Sequence, residues 1–257
     1  MISKIKIIYI EKTGSTQDSV LEYLQNDYFP SLLLVAKIQT SGRGRKDGDW
    51  FSPEGGFWAT LGISTSLLLS EAQFALLHYF TATLLTRVIS EEYDLSVQIK
   101  WPNDLIYENK KLAGILIDYV TGTQKNYILI GMGINLNNSH HEMPEDIKSI
   151  AISIKDILHK SVSLDDFAQK ICFYAYRYFS PITEYNLKNM QSSINEYNQH
   201  SQIYGKEVIL DDSKRYHCDG INHKGHMQFR NVNNKKLDLT INDLTRVRKI
   251  ISPNIDV

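Results

Sequence analysis

Apolar positions along the chain follow two rhythms. Short β-branched or alternating runs at residues 4–10 (KIKIIYI), 32–38, 57–63 (FWATLGI), 97–101 (VQIKW), 111–120 (KLAGILIDYV) and 127–130 predict strands, and 105–107 continues extended after a turn. Helical spacing lies between them. Ser15 with Asp18 three residues on has capping-box spacing, and Val20, Leu21 and Leu24 give the next helix an apolar face. Ser70 with Gln73 starts a second helix that runs to about residue 90, with Phe74, Leu77, Thr81, Leu84 and Val88 on one side. Ser163 starts a third, to about residue 179, with Phe167, Ile171, Ala175 and Tyr178 inward. Pro181 ends it, and a further helical stretch runs to about residue 198. Residues 137–149 are polar and predict a loop. From residue 203 the texture changes. Short extended runs at 206–210, 216–221, 226–232, 235–241 and 245–250 predict a small β-barrel appended to the larger domain.

Composition narrows this picture. A chain of 257 residues accommodates one large or two small domains, and a hydrophobic share of 42% with 22% charged residues is that of an ordinary globular protein. The formal charge of -1 gives no basic field to hold DNA. Cys172 and Cys218 are far apart and form no metal-type spacing, which points to a reducing compartment. No apolar run approaches the ~20 residues of a membrane span. Residues 1–10 carry lysines where a signal peptide has an apolar core, so no membrane partner and a cytoplasmic location are expected.

Candidate chemistry starts at residues 39–50 (QTSGRGRKDGDW), straight after a predicted strand. Three glycines and two arginines lie within residues 42–48. Glycine lets backbone N–H groups approach a ligand, and arginine adds forked donors for carboxylate or phosphate. The loop reads as a wrap for a small anion, against the plainer reading of a solvated basic turn. At a dozen or so residues it is longer than a hairpin needs. Lys100 stands in an apolar strand beside Trp101 and Pro102, where a lysine either snorkels at an edge or faces a bound anion. Gly114 in a neighbouring strand marks a bulge or a close ligand approach. Gly131-Met132-Gly133 lacks the third glycine of a dinucleotide fingerprint and suits a strand lying against a flat ligand. Ser15 and Thr16 read as plain helix caps or as anion donors at a helix N-terminus.

Taken in order, Ser15-Thr16, Gln39, GRGR (42–45), Trp50, SPEGG (52–56), KWPNDL (100–105), KLAGIL (111–116) and GMGIN (131–135) resemble the biotin protein ligases over nearly the whole chain. The resemblance implies an α+β fold: a mixed, mainly antiparallel sheet with helices on one face, as in class II aminoacyl-tRNA synthetases, then an SH3-like barrel. It implies domains at 1–200 and 201–257. The implied reaction is attack of the biotin carboxylate on the α-phosphorus of ATP, with Mg²⁺, followed by transfer from biotinyl-5′-AMP to a lysine of a biotin carboxyl carrier protein. Lys100, Arg45 and Arg43 take the catalytic places. Ser15, Thr16, Gln17, Gln39, Gly42, Arg43, Gly44, Arg45, Trp50, Lys100, Gly114, Gly131 and Gly133 take biotin-binding places, and Arg45, Lys100, Asn103 and Asn135 adenylate-binding ones. Metal ligands stay unassigned. The resemblance leaves room for a homodimer paired edge to edge.

Departures are visible too. Gln17 stands where the family often has Asn, and Gly48 stands where its loop usually has a further arginine. Lys46 adds charge there, while Asp47 and Asp49 oppose it. The chain begins at the first catalytic strand, so a ligase without DNA-binding repressor activity is expected. The rival enzyme class is a lipoate or octanoate ligase, whose glycine-rich, arginine-led signature is not visible. The rival outside enzymes is a binder that has lost its reaction, which the presence of both Lys100 and Arg45 opposes.

Overall fold

The computed structural model of the chain describes residues 5–26, 28–46, 48–179, 187–222, 224–243 and 247–251. Strand β1 (Lys6–Thr13) leads through helix α1 (Thr16–Gln25) to β2 (Ser31–Gln39), and the two strands pair in parallel. Parallel neighbours need a crossover, which α1 supplies. Strands β3 (Phe57–Thr65), β4 (Gln98–Lys100), β5 (Asp104–Tyr107), β6 (Lys110–Val120) and β7 (Asn126–Ile134) join them through antiparallel ladders. The sheet has seven strands in the order β1-β2-β3-β7-β6-β5-β4.

Strand β2 is apolar without alternation because both of its faces are covered. Leu33 and Val35 join the main core with Leu77, Leu84 and Val88 of α2 (Glu71–Tyr93), whereas Leu32 and Leu34 pack with Val20 and Leu24 of α1. Helices α5 (Leu164–Phe179) and α6 (Leu187–His200) lie against α2 on the first side. Three large helices therefore share one face, and α1 is the exception on the other. Crossover geometry decides this, and the local apolar pattern does not carry it. Ser70 caps α2 with the full box to Gln73, as expected. At α1 the box is absent: Ser15 accepts from the Gln17 N–H, and Asp18 turns away to Arg43.

The polar stretch read as a loop holds a 3-10 turn (His140–Glu142) and the short helix α3 (Glu145–Lys148), with α4 (Ile154–Leu158) after it. Side-chain clasps order it. Asn137 donates to the Val162 carbonyl at 2.8 Å and accepts from the Val162 N–H at 2.8 Å.

Strands β8 (Glu207–Leu210), β9 (Arg215–Ile221), β10 (Met227–Asn231), β11 (Lys236–Leu239) and β12 (Val247–Ile251) form a second, antiparallel sheet in the order β11-β10-β9-β8-β12. These match the five expected runs. The helix break at Pro181, the side chain of Tyr178, the charge of Asp47 and the strand start at Lys4 lie outside the described residues.

Candidate active site

The parallel β1/β2 pair ends where the site begins. Thr13 lies opposite Gln39 in register, so the C-terminal end of β2 and the N-terminus of α1 meet. The Gln39 side-chain oxygen accepts from the Thr16 backbone N–H (2.8 Å) and from its hydroxyl (3.0 Å). Its amide nitrogen donates to Ser52 Oγ at 2.8 Å, and Ser52 donates to the Trp50 carbonyl. Thr60 on β3 hydrogen-bonds Thr16 at 2.8 Å. A single chain of bonds thus ties the α1 N-terminus, the end of β2 and the return of the glycine-arginine loop.

That loop is itself pinned as a narrow antiparallel ribbon. Bridges join Gln39 to Ser52 and Arg43 to Asp49, and the Gly44 N–H donates to the Gly48 carbonyl at 2.6 Å. Glycine is required at position 42, where a Cβ would strike the Trp50 carbonyl oxygen. The ribbon folds its Trp50 indole over the sheet, on the α1 side. Glycines clear the floor there: a Cβ on Gly133 would lie 2.5 Å from Trp50 Nε1, and one on Gly114 2.7 Å from its ring. Lys111 Nζ stands 4.8 Å from the centre of that ring and 3.0 Å from Asp104 Oδ1.

Together these walls line a pocket that is open at its mouth. Ser15, Thr16, Gln17, Gln39, Arg43, Gly44, Arg45, Trp50, Asn103, Gly114, Gly131 and Gly133 line it. Asp104 Oδ1 is buried there without a hydrogen bond but has its ion pair with Lys111, while Gln17 Oε1 and Trp50 Nε1 are buried with no hydrogen-bond partner among the described residues. An orphaned buried group costs about 1–3 kcal/mol, and a ligand carrying both an N–H and an oxygen acceptor would relieve both.

Charge gathers at one end. Arg45 Nη1 donates to Asn103 Oδ1 at 3.1 Å, and Nη2 donates to the Ile241 carbonyl in the turn after β11. Burial pushes the Arg45 guanidinium below its ordinary value, with the Asp104 carboxylate acting against that; arginine remains charged throughout. Asn103 is held in turn by donating to the Ile115 carbonyl at 2.8 Å. A wider groove adjoins the pocket and shares Gly44, Arg45, Trp50, Asn103, Asp104 and Lys111 with it; Lys100, Lys46, Arg248 and Lys249 line this groove. Arg43, by contrast, is bound up with carboxylates, at 3.1 Å from Asp18 and 3.2 Å from Asp118. A pair as exposed as Arg43–Asp18 contributes only about 0–1 kcal/mol.

The structure does not bring every anticipated residue to the pocket wall. Lys100 is exposed and faces the groove only. Gly42 and Asn135 are buried and are not part of the pocket lining. Asn135 is buried, donates to the Lys111 carbonyl at 3.3 Å and accepts from Asn138. Sequence reasoning missed Lys111, Asp104 and Thr60, all of which line the pocket. Lys111 opens a motif already singled out, KLAGIL, so its signal was present; Thr60 carried none. Among the described residues no cluster of three or more His, Cys, Asp or Glu side chains is placed to hold a metal ion.

Known proteins agree with this architecture. Residues 9–135 match the Biotin/lipoate A/B protein ligase family. The bifunctional ligase/repressor BirA of Bacillus subtilis is 30% identical over 220 residues, covering 80% of this chain and 67% of BirA. Human biotin–protein ligase is 32% identical over 142 residues, covering 52% of this chain and 20% of the human protein. The biotin protein ligase of Aquifex aeolicus, solved in complex with biotin and ATP, superposes with a TM-score of 0.77 at 23% identity. It covers 94% of this chain and 99% of its own.

Proposed function

The chain belongs to the biotin protein ligase family, ATP-dependent ligases that form biotinyl-5′-AMP, and we propose that the pocket beneath Trp50 takes biotin while the adjoining groove takes ATP. One observation carries the assignment: a pocket with uncharged amide and hydroxyl groups at Ser15, Thr16, Gln17 and Gln39, and with Arg45 and Lys111 where it meets its neighbour, opens onto a groove rich in lysine and arginine. Biotin has the matching polarity, with an uncharged ureido ring at one end and a carboxylate at the other. Ser15, Thr16, Gln17 and Gln39 suit the ring, and the glycine-cleared floor with Trp50 suits its apolar body.

Two anions must meet for adenylation, and positive charge has to offset their repulsion. The biotin carboxylate oxygen attacks the α-phosphorus, the bond from that phosphorus to the α,β-bridging oxygen breaks, and pyrophosphate leaves. Arg45, fixed by Asn103, and Lys100 at the groove are placed for the charge that develops. Asn103 carries out its adenylate-side role through Arg45; Asn135 acts by supporting the Lys111 backbone. In the second step a lysine amine of a carrier domain attacks the acyl carbon, AMP departs, and an amide remains. Mg²⁺ would arrive on the ATP phosphates, keeping several waters. Asp104 is the only carboxylate that lines both cavities among the described residues.

We also propose a catalytic unit at 1–200 with a terminal unit at 201–257, and a cytoplasmic site of action. No described helix is long and apolar enough to cross a membrane. A homodimer would pair through β1, because the outer side of β4 already bridges Ser201 from Ile99.

Pyrophosphate release with ATP and Mg²⁺, offered biotin, lipoate or octanoate in turn, tests the assignment. Release is expected with biotin alone, reduced on the order of 100-fold in Lys100→Ala, as for loss of one charge-stabilising donor. Release with lipoate or octanoate would place the chain among the lipoate ligases instead. Tight biotin binding without release would make it a binder.

A further inference from the structure

Gln17 is buried to 2% exposure at the first turn of α1, and its amide faces two groups that only accept hydrogen bonds. Its Nε2 lies 3.2 Å from Asp118 Oδ2 and 3.4 Å from the Leu116 carbonyl oxygen. A carboxylate and a carbonyl cannot donate, so the nitrogen must point to them and the oxygen must point away. Oε1 then lies over Gly131, where a Cβ would stand 3.3 Å from it, with no partner of its own among the described residues. Asp118 sits on β6 four residues after Gly114, so strand alternation puts both on the pocket face. The same Asp118 Oδ2 forms an ion pair with Arg43, 3.2 Å from its Nη2. One carboxylate oxygen therefore orients a pocket amide and tethers an arginine of the overlying loop.

We propose that Asp118 is a positioning residue for substrate recognition: through Gln17 it makes this wall of the pocket an acceptor that selects a ligand offering an N–H. The inference rests on the biotin ligase reading, since the biotin ureido ring carries such groups. It also gives the longer Gln17 side chain a use. The extra methylene, compared with Asn, reaches back to the β6 carboxylate while the oxygen stays over the sheet. Arg43 neutralises Asp118 at the same time. Without that arginine, a bare carboxylate would stand beside a site that must admit anions.

Four variants test the idea: Asp118→Ala, Asp118→Asn, Gln17→Ala and the double Gln17→Ala/Asp118→Ala. The readouts are biotin affinity by calorimetry, KM for biotin and for ATP, kcat of pyrophosphate release, and thermal stability. Asp118→Ala is expected to weaken biotin binding roughly ten-fold, equal to one charge-assisted hydrogen bond, with KM for ATP nearly unchanged. The double variant should be no worse than Gln17→Ala alone, because both act through one amide. Asp118→Asn keeps an acceptor for Gln17 but not the charge that holds Arg43. It should retain biotin affinity within about three-fold while losing the adenylate faster. Unchanged biotin affinity in Asp118→Ala, additive losses in the double variant, or equal losses for biotin and ATP would each overturn the proposal. If the unaltered protein neither binds biotin nor releases pyrophosphate, the ligase reading itself fails, whatever the variants do.

Discussion

Gly48 shows how much one residue of the glycine-arginine loop has to decide. A ligase loop of this kind usually carries a further arginine there, and this chain has none. The structure leaves room for one: a Cβ at Gly48 would meet only the Arg45 carbonyl oxygen, at 3.1 Å. That contact is tight by a few tenths of an ångström, and the backbone at 48 is not left-handed. Gly48→Arg is therefore expected to fold and to slow dissociation of biotinyl-5′-AMP by roughly ten-fold, the worth of one charge-assisted hydrogen bond. A chase of the preformed adenylate with excess unlabelled biotin measures it. An unchanged or faster loss would mean that Lys46 already supplies the missing charge. At this scale the sequence was legible where residue type and spacing were unusual, as with the glycines, the arginines, Gln39 and Trp50. It was not legible where a polar residue alternated along a strand. Thr60 and Asp118 look like ordinary positions until the sheet faces are known, and Asp104 stands inside the KWPNDL motif with no sign of the way it faces.

Elements impose their own chemistry on the residues they bury. Helix α2 carries His78 on its packed side, 4% exposed, with Nδ1 donating to the Phe74 carbonyl at 3.2 Å and the ring edge-on to Phe74. Burial, with the nearby Arg45 charge adding to it, pushes this imidazole down to about 4. The unfolded chain binds the proton near the ordinary value of about 6.5. Between those two values the unfolded state holds more protons, so stability falls as pH is lowered through this window. The full effect is about 3 kcal/mol, and none of it is felt above pH ~7. His78→Phe should remove this slope. Urea midpoints at pH 7, 6 and 5 are expected to fall for the natural chain and to stay level in the variant, apart from the contribution of other groups common to both. Parallel slopes would show that the His78 proton is not linked to folding. The sequence predicted α2 and its apolar face but not this histidine, since helical spacing says which side is buried and not what lies across from it. The same gap explains the 137–149 stretch. Its order comes from Asn137 and Asn138 clasping backbone and side chain, and a local pattern reads asparagine only as a loop former.

Over the whole molecule, the terminal sheet is joined to the larger one by core as well as by chain. Val208, Cys218, Met227 and Phe229 belong to the same buried cluster as Leu77, Tyr79 and Tyr197, and Tyr79 packs edge-on against Tyr197 with ring centres 4.8 Å apart. The Tyr79 hydroxyl donates to the Gly225 carbonyl at 2.9 Å across this seam. Burial raises the pKa of that phenol, so it stays protonated and remains a donor. Gly225 itself needs its positive φ of 77°, and a Cβ there would press on Ala75 at 3.1 Å. The seam reaches the site, because Ile241 accepts from Arg45. Five predicted runs made the small sheet legible from its alternation. Its attachment was not legible, because partners more than a hundred residues apart leave no local trace. A shared core predicts shared melting. Circular dichroism of the backbone and fluorescence of the tryptophans should trace one coincident transition, and Tyr79→Phe should lower its midpoint by about 2–6 °C. That range corresponds to about 1–2 kcal/mol for a lost hydrogen bond that leaves a buried carbonyl unpaired. Two separated transitions, or an unchanged midpoint in Tyr79→Phe, would mean that the terminal sheet folds apart from the catalytic one. Arg45 would then be held by a neighbour able to leave, and activity should fall at the lower of the two melting points.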